Sequence, residues 1–187
     1  MKSLKGITVG LIGIMLLSLP LSAGDTVIAP ADKFVLLATS KTATMQKELD
    51  AAAEKGFRIV MGSGLTGNEI AMMMERIPEG SEKYAYRLVA TTRTGSMQKE
   101  IESAAREGFR VQPRTLTSKT GMLSQEIVVI MEKDPNLKGR EYEYKLLATS
   151  LTGTLQKEMT EAAKEGYALV AFGTRGEHLA IMEREKK

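Results

Sequence analysis

The chain has 187 residues, no cysteine, one histidine and a formal net charge of +3 at pH 7. The absence of cysteine excludes a disulfide framework and a thiol nucleophile. Basic residues are interleaved with acidic ones, and the charge falls to +1 without the two lysines of the first 24 residues. Such a balance gives no support for a nucleic-acid partner.

The first 24 residues have the pattern of a secretory signal peptide. Lys2 and Lys5 precede an apolar stretch over 6–21, which ends in the small residues Ser22-Ala23-Gly24. The stretch is shorter than the roughly 20 residues of a membrane-spanning helix. We therefore predict cleavage after Gly24, a short tail over 25–31, and an exported protein, periplasmic or secreted, that does not span the membrane once processed.

The rest of the chain repeats one pattern three times. The segment Ala38–Glu48 returns as Ala90–Glu100 and as Ala148–Glu158, at offsets of 52 and 58 residues. A fixed period of this size indicates one supersecondary unit used three times. The predicted units are 32–77, 82–133 and 141–185, and breaker-rich linkers separate them at 78–81 and 134–139.

Each unit is predicted to be β-α-β-β. In the third unit the pattern predicts a strand over 142–149, a helix over 155–164, and strands over 167–172 and 178–183. Thr154 is the expected N-cap of the helix and Gly166 its C-terminal stop. The second unit differs by a longer polar loop over 113–124.

The last strand of each unit is apolar on both faces, as in Ile127 to Met131. A strand buried on both faces belongs in the middle of a sheet. We therefore predict an α+β fold of three three-stranded, mostly antiparallel sheets, in the order first, third, second strand. One helix covers one face of each sheet. The other face is expected to meet its counterparts, in a pseudo-threefold or pairwise sheet packing.

Several motifs that carry chemistry elsewhere have simpler explanations here. Gly62 to Gly67 matches a dinucleotide-binding glycine pattern, but a strand rather than a helix follows it. Met72 to Met74 alternate between strand faces and are expected to fill the core. His178 is expected to be an ordinary strand residue, and Glu75, Glu132 and Glu183 are expected to be solvated strand ends. We therefore predict no catalytic residue, no metal site and no cofactor.

The helix N-termini are the best candidates for ligand binding. Free backbone amides and hydroxyl groups at a helix start can hold an anion, and a lysine can add charge. The predicted binding residues are a threonine and a lysine from each unit: Thr42, Lys47, Thr94, Lys99, Thr152 and Lys157. Simple capping of the helices is the alternative interpretation.

At the level of the unit, the chain resembles a bacterial family known as domain of unknown function 4177. The resemblance lies in the opening Tyr142–Leu147, the helix end Ala162–Tyr167 and the closing strand Ile181–Arg184. It covers about 140 residues as three tandem copies. The family implies this fold and a small-module role, and it names no reaction.

These observations favour an exported, non-catalytic binding or interaction module. Its partner would be another protein or a small anionic or carbohydrate ligand. Two alternatives stay open: a hydrolase or isomerase with a site between units, and a structural envelope protein that self-associates. The sequence does not decide the oligomeric state.

Overall fold

The computed structural model describes residues 28–64, 68–120 and 125–187. Over these residues the protein is α+β, with three antiparallel sheets and three α-helices. The predicted signal peptide and the first residues of the predicted tail lie outside the described residues.

The elements fall into three similar sets, of which the second has one strand more than the others. The first set is β1 (Phe34–Thr39), α1 (Thr42–Glu54), β2 (Phe57–Gly64) and β3 (Ile70–Arg76). The second is β4 (Ala85–Thr91), α2 (Thr94–Arg106), β5 (Arg110–Val111), β6 (Thr117–Thr120) and β7 (Gln125–Lys133). A short 3-10 helix (Pro135–Leu137) leads to β8 (Tyr142–Thr149), α3 (Thr152–Lys164), β9 (Ala168–Thr174) and β10 (His178–Glu185).

The last strand of each set is the central strand of its sheet, as predicted. The strand orders are β1-β3-β2 in sheet 1, β4-β7-β5 in sheet 2 and β8-β10-β9 in sheet 3. In sheet 2, β6 also pairs with β7, so this sheet has four strands and the prediction of three was wrong for it. The physical reason lies in the side chains of these strands: Ile127 to Glu132 of β7 are all buried, so both faces of the strand need cover.

The predicted helix starts were wrong. The third helix begins at Thr152 with Leu151 as its N-cap, not at Leu155 after Thr154, and no N-cap side chain caps any of the three helices. A threonine at the end of each preceding strand accepts a hydrogen bond from the N-cap amide instead, as Thr149 does from Leu151 at 3.2 Å. The stop at Gly166 was right, since its φ of +89° suits glycine.

The predicted polar loop over 113–124 is only partly a loop. Thr117 to Thr120 form β6, and residues 121–124 lie outside the described residues. Thr115 lies between β5 and β6, which pair one after the other with β7. Its buried hydroxyl accepts from the Ile130 amide at 3.1 Å and donates to the Gln112 carbonyl at 2.7 Å. These bonds replace backbone bonds to β7 in the stretch of chain that separates β5 from β6.

Two of the three apolar clusters join a helix to two sheets. One cluster packs α1 against sheet 1 and also against Tyr86, Val128 and Ile130 of sheet 2. A second packs α2 against sheet 2 and against sheet 3. The prediction that sheet faces meet each other is therefore not supported. In sheets 2 and 3, the face that was expected to meet another sheet packs on the helix of the preceding set. A third, smaller cluster lies between α3 and sheet 3.

The paired alanines of the helices provide a test of this packing. Ala105 of α2 is buried, whereas its counterpart Ala163 of α3 is exposed. We expect Ala105→Leu to lower the free energy of unfolding by ~1–3 kcal/mol through overpacking. The matched Ala163→Leu should change it by less than ~0.5 kcal/mol. Chemical denaturation measures both, and equal costs would contradict the packing of α2 between two sheets.

Candidate interaction surface

The predicted anion-binding residues lie on three separate helices. Thr42, Thr94 and Thr152 are the first residues of their helices rather than residues before them. Lys47, Lys99 and Lys157 are exposed on the helix surfaces. Binding of an anion at these positions stays a prediction.

The glutamine that precedes each of these lysines has a defined role in two of the three helices. Gln46 of α1 donates to the Tyr86 carbonyl at 3.0 Å and accepts from the Leu88 amide at 2.7 Å. Gln98 of α2 makes the same two bonds with Tyr144 and Leu146, at 2.8 and 2.7 Å. Each glutamine therefore satisfies the outer edge of the next sheet, where unpaired backbone groups would otherwise be exposed.

Glu132 and Glu183 were expected to be solvated strand ends, and this was wrong. They are 6% and 5% exposed. Arg58 Nη2 lies 2.8 Å from Glu132 Oε1, and Arg110 Nη2 lies 2.6 Å from Glu183 Oε1. Each arginine comes from the preceding set of elements, so a buried carboxylate obtains its counter-ion across an interface. Burial of a charge requires such a partner.

A tyrosine completes each of these two networks. Tyr86 donates to Glu132 at 3.1 Å and accepts from the Ile59 amide at 3.0 Å. Tyr144 donates to Glu183 at 2.6 Å and accepts from the Val111 amide at 3.0 Å. The arginines also stack on aromatic rings, Arg58 at 4.2 Å from the Tyr84 centroid and Arg110 at 4.5 Å from that of Tyr142. The two interfaces are therefore built from the same groups.

These networks make the fold sensitive to alkaline pH. Burial, reinforced by the charge of the adjacent glutamate, raises the pKa of Tyr86 and of Tyr144 well above the ordinary value of about 10. Above about pH 10 the unfolded chain loses protons that the folded chain keeps, so stability falls as pH rises, by up to ~1.4 kcal/mol per pH unit for each tyrosine.

We expect the double variant Tyr86→Phe/Tyr144→Phe to lose stability less steeply than the wild type between about pH 10 and 12. Urea denaturation at several pH values measures the two slopes. The comparison at pH 7 separates the constant cost of the missing hydroxyls from the pH dependence. Parallel curves above pH 10 would contradict the linkage.

The ion pairs across the interfaces should matter more than exposed ones. Removing Arg110 leaves the carboxylate of Glu183 buried without its cation, so Arg110→Ala should lower the free energy of unfolding by ~1.5–3 kcal/mol. Lys138→Ala, which breaks an exposed pair with Glu82, is the matched control and should cost less than ~1 kcal/mol. An equal loss in the two variants, measured by urea denaturation, would show that the buried pair has no special weight.

One face of sheet 1 is apolar, and none of the described elements covers it. Phe34, Leu36 and Met61 are 51%, 52% and 46% exposed, and Met73 lies opposite Leu36 and Met61 in the strand register. The register gives Phe34 the place in sheet 1 that Tyr86 has in sheet 2 and Tyr144 in sheet 3, since each lies opposite the equivalent glutamate. The corresponding faces of sheets 2 and 3 are covered by α1 and α2.

The opposite end of the chain is uncovered as well. Leu169 is 46% exposed, whereas its register counterparts Ile59 and Val111 are 3% and 2% exposed. Phe172 and Leu151 are also exposed at this end. Gln156 of α3 contacts Thr160 in its own helix, whereas Gln46 and Gln98 each contact the edge of a sheet.

The remaining candidates occupy ordinary positions. Met72 and Met74 are fully buried, as core filling predicts, whereas Met73 is half-buried on the uncovered face of sheet 1. His178 pairs with Thr149 and Thr174 in the ladder and stacks on Phe172. Over the described residues, no group of three or more acidic or histidine side chains is arranged to hold a metal ion.

Sequence reasoning missed the residues that join the sets of elements. The signal was present, since Arg58 and Arg110 recur at the offset of 52 residues and Tyr86 and Tyr144 at 58. It could be interpreted only with the knowledge that each arginine crosses to the glutamate of the following sheet.

Comparison with family models, with curated proteins and with solved structures gives no match to this chain. The resemblance to domain of unknown function 4177 therefore stays a prediction. Among the helices of the described residues, none combines the length and the apolar character needed to cross a bilayer.

Proposed function

We propose that this chain is an exported, non-catalytic interaction module of three stacked β-α-β-β units, which receives an amphipathic helix of another protein on the uncovered face of sheet 1. The observation that carries the proposal is the apolar row of Phe34, Leu36 and Met61, each about half exposed. Exposed apolar patches of this kind are typical of protein interaction sites.

The rest of the chain indicates what such a face binds. The same face of sheet 2 is covered by α1 and that of sheet 3 by α2. In both cases the helix contributes buried apolar side chains together with a glutamine that bonds to the sheet edge. A helix is therefore the structural element for which this sheet face is shaped.

The edge of β1 offers the hydrogen bonds that a docked helix would need. Lys33 O accepts from the Arg76 amide and so points toward β3. Because carbonyl directions alternate along a strand, Phe34 O and Leu36 N point outward. These two groups correspond to Tyr86 O and Leu88 N, which Gln46 contacts. The partner helix should therefore carry a glutamine, or a similar donor and acceptor, beside its apolar stripe.

The charge on this face also favours a particular partner. Glu75 lies opposite Phe34 in the register, and Lys33, which comes directly before β1, is 3.5 Å from its carboxylate. Glu75 therefore keeps a cation beside it as long as the docked helix leaves this pair, whose side chains are 72% and 43% exposed, in contact with water. An acidic residue at this position of the helix would be repelled.

A peptide with the sequence of α2, residues 93–108, tests the proposal because this helix already covers an equivalent face. We expect weak, saturable binding to the mature chain, with NMR shift changes concentrated in β1 and β3. Leu36→Glu should weaken the binding at least about tenfold, or ~1.4 kcal/mol. Leu36 is half exposed, so the variant should still fold.

Two matched controls make the result specific. Leu169→Glu alters an equally exposed leucine at the other end of the chain and should leave peptide binding unchanged. A peptide with Ala in place of Gln98 should bind more weakly, because it cannot bond to Phe34 O and Leu36 N. Absence of binding, or binding that Leu36→Glu leaves intact, would refute the proposed docking face.

A further inference from the structure

The two ends of this chain differ from its internal interfaces at three related positions. Beside the buried glutamate, the internal interfaces have Tyr84 and Tyr86, or Tyr142 and Tyr144, on one side and Arg58 or Arg110 on the other. At the first uncovered face, the strand register puts Phe34 in the place of the inner tyrosine, and Asp32 stands two residues before it. At the other end of the stack, Ala168 lies opposite Glu183, in the place that Arg110 has opposite Glu132.

From these replacements we propose that Asp32, Phe34 and Ala168 terminate the stack and prevent head-to-tail association with a second copy of the chain. The inference concerns the face on which the proposed function rests, and it states that the partner of this face is not another copy.

In a head-to-tail contact, sheet 1 of a second copy would lie on α3 as sheet 3 lies on α2. Glu75 of that copy would then face Ala168, which has no charge to offer. Its only described cation is Lys33 at 3.5 Å, whose side chain is 72% exposed and would have to lose water in the contact. An inadequately paired carboxylate in a dry interface is strongly unfavourable.

The backbone would be mismatched as well. The Leu169 amide corresponds to those of Ile59 and Val111, which donate to tyrosine hydroxyls at 3.0 Å. In a head-to-tail contact this amide would face the ring of Phe34, which has no acceptor. Asp32 would occupy the place of the ring on which the arginine stacks. A buried donor without an acceptor opposes association.

The apolar part of the interface is nevertheless kept at both ends. Phe34 and Leu36 at one end, and Leu169 and Phe172 at the other, stay exposed. Gln156 also remains in the position from which Gln46 and Gln98 contact a sheet edge. Only the groups that make the buried network specific are replaced, and they are replaced on both sides together. Terminal units that differ from internal ones in this way limit the growth of repeat proteins.

The test restores the missing network in the mature chain. Sedimentation velocity should show the wild type as a monomer up to about 100 µM, and Phe34→Tyr/Ala168→Arg should form concentration-dependent oligomers with at least about 100-fold tighter association. Phe34→Tyr/Ala168→Glu is the matched control, because it restores the hydroxyl and places a like charge near Glu75; it should stay monomeric. Adding Asp32→Tyr to the first variant should tighten association further.

Two results would overturn the inference. One is a wild type that already associates and becomes monomeric with Leu36→Glu. The other is a Phe34→Tyr/Ala168→Arg variant that folds, as judged by its circular dichroism and cooperative unfolding, and yet stays monomeric over the same concentrations. Neither measurement uses the peptide, so failure of peptide binding and failure of this inference are separate outcomes.

Discussion

The structure depends on two buried carboxylates whose counter-ions come from the preceding part of the chain. Glu132 and Glu183 lie on central strands, where the surroundings are apolar and an isolated charge would be strongly unfavourable. Arg58 and Arg110 supply the charge, and Tyr86 and Tyr144 supply a hydroxyl that also satisfies a backbone amide. Because no single set of elements contains all of these groups, the buried network ties neighbouring sets together.

The apolar core also depends on contacts between neighbouring sets of elements. Each of α1 and α2 packs between two sheets, and its glutamine bonds to the edge of the second one. A three-stranded sheet with one helix buries little apolar surface by itself. A helix that packs between two sheets increases the apolar surface that both of them bury. Within residues 28–64, 68–120 and 125–187, this arrangement leaves one face of sheet 1 and the outer side of α3 without a neighbouring element.

The sequence predicted the parts of the fold that follow from local pattern. The apolar residues on both faces of Ile127 to Met131 gave the central strand, and Gly166 gave the end of a helix. It failed at the helix starts, because Thr154 has the chemistry of an N-cap but the chain turns directly from the strand at Thr149 into the helix. It also failed for Glu132 and Glu183, which look like surface residues until the arginines that approach them are known.

By itself the sequence determined the α+β class and which strand is central in each sheet, because alternation and helical spacing act over a few neighbouring residues. Only the tertiary structure decided which residues form the interfaces, since Arg110 and Glu183 are 73 positions apart and nothing local relates them. The same holds for the exposed row at Phe34 and Leu36. Their side chains are as apolar as those of a core strand, and they are exposed because no helix of the described residues packs on that face of sheet 1.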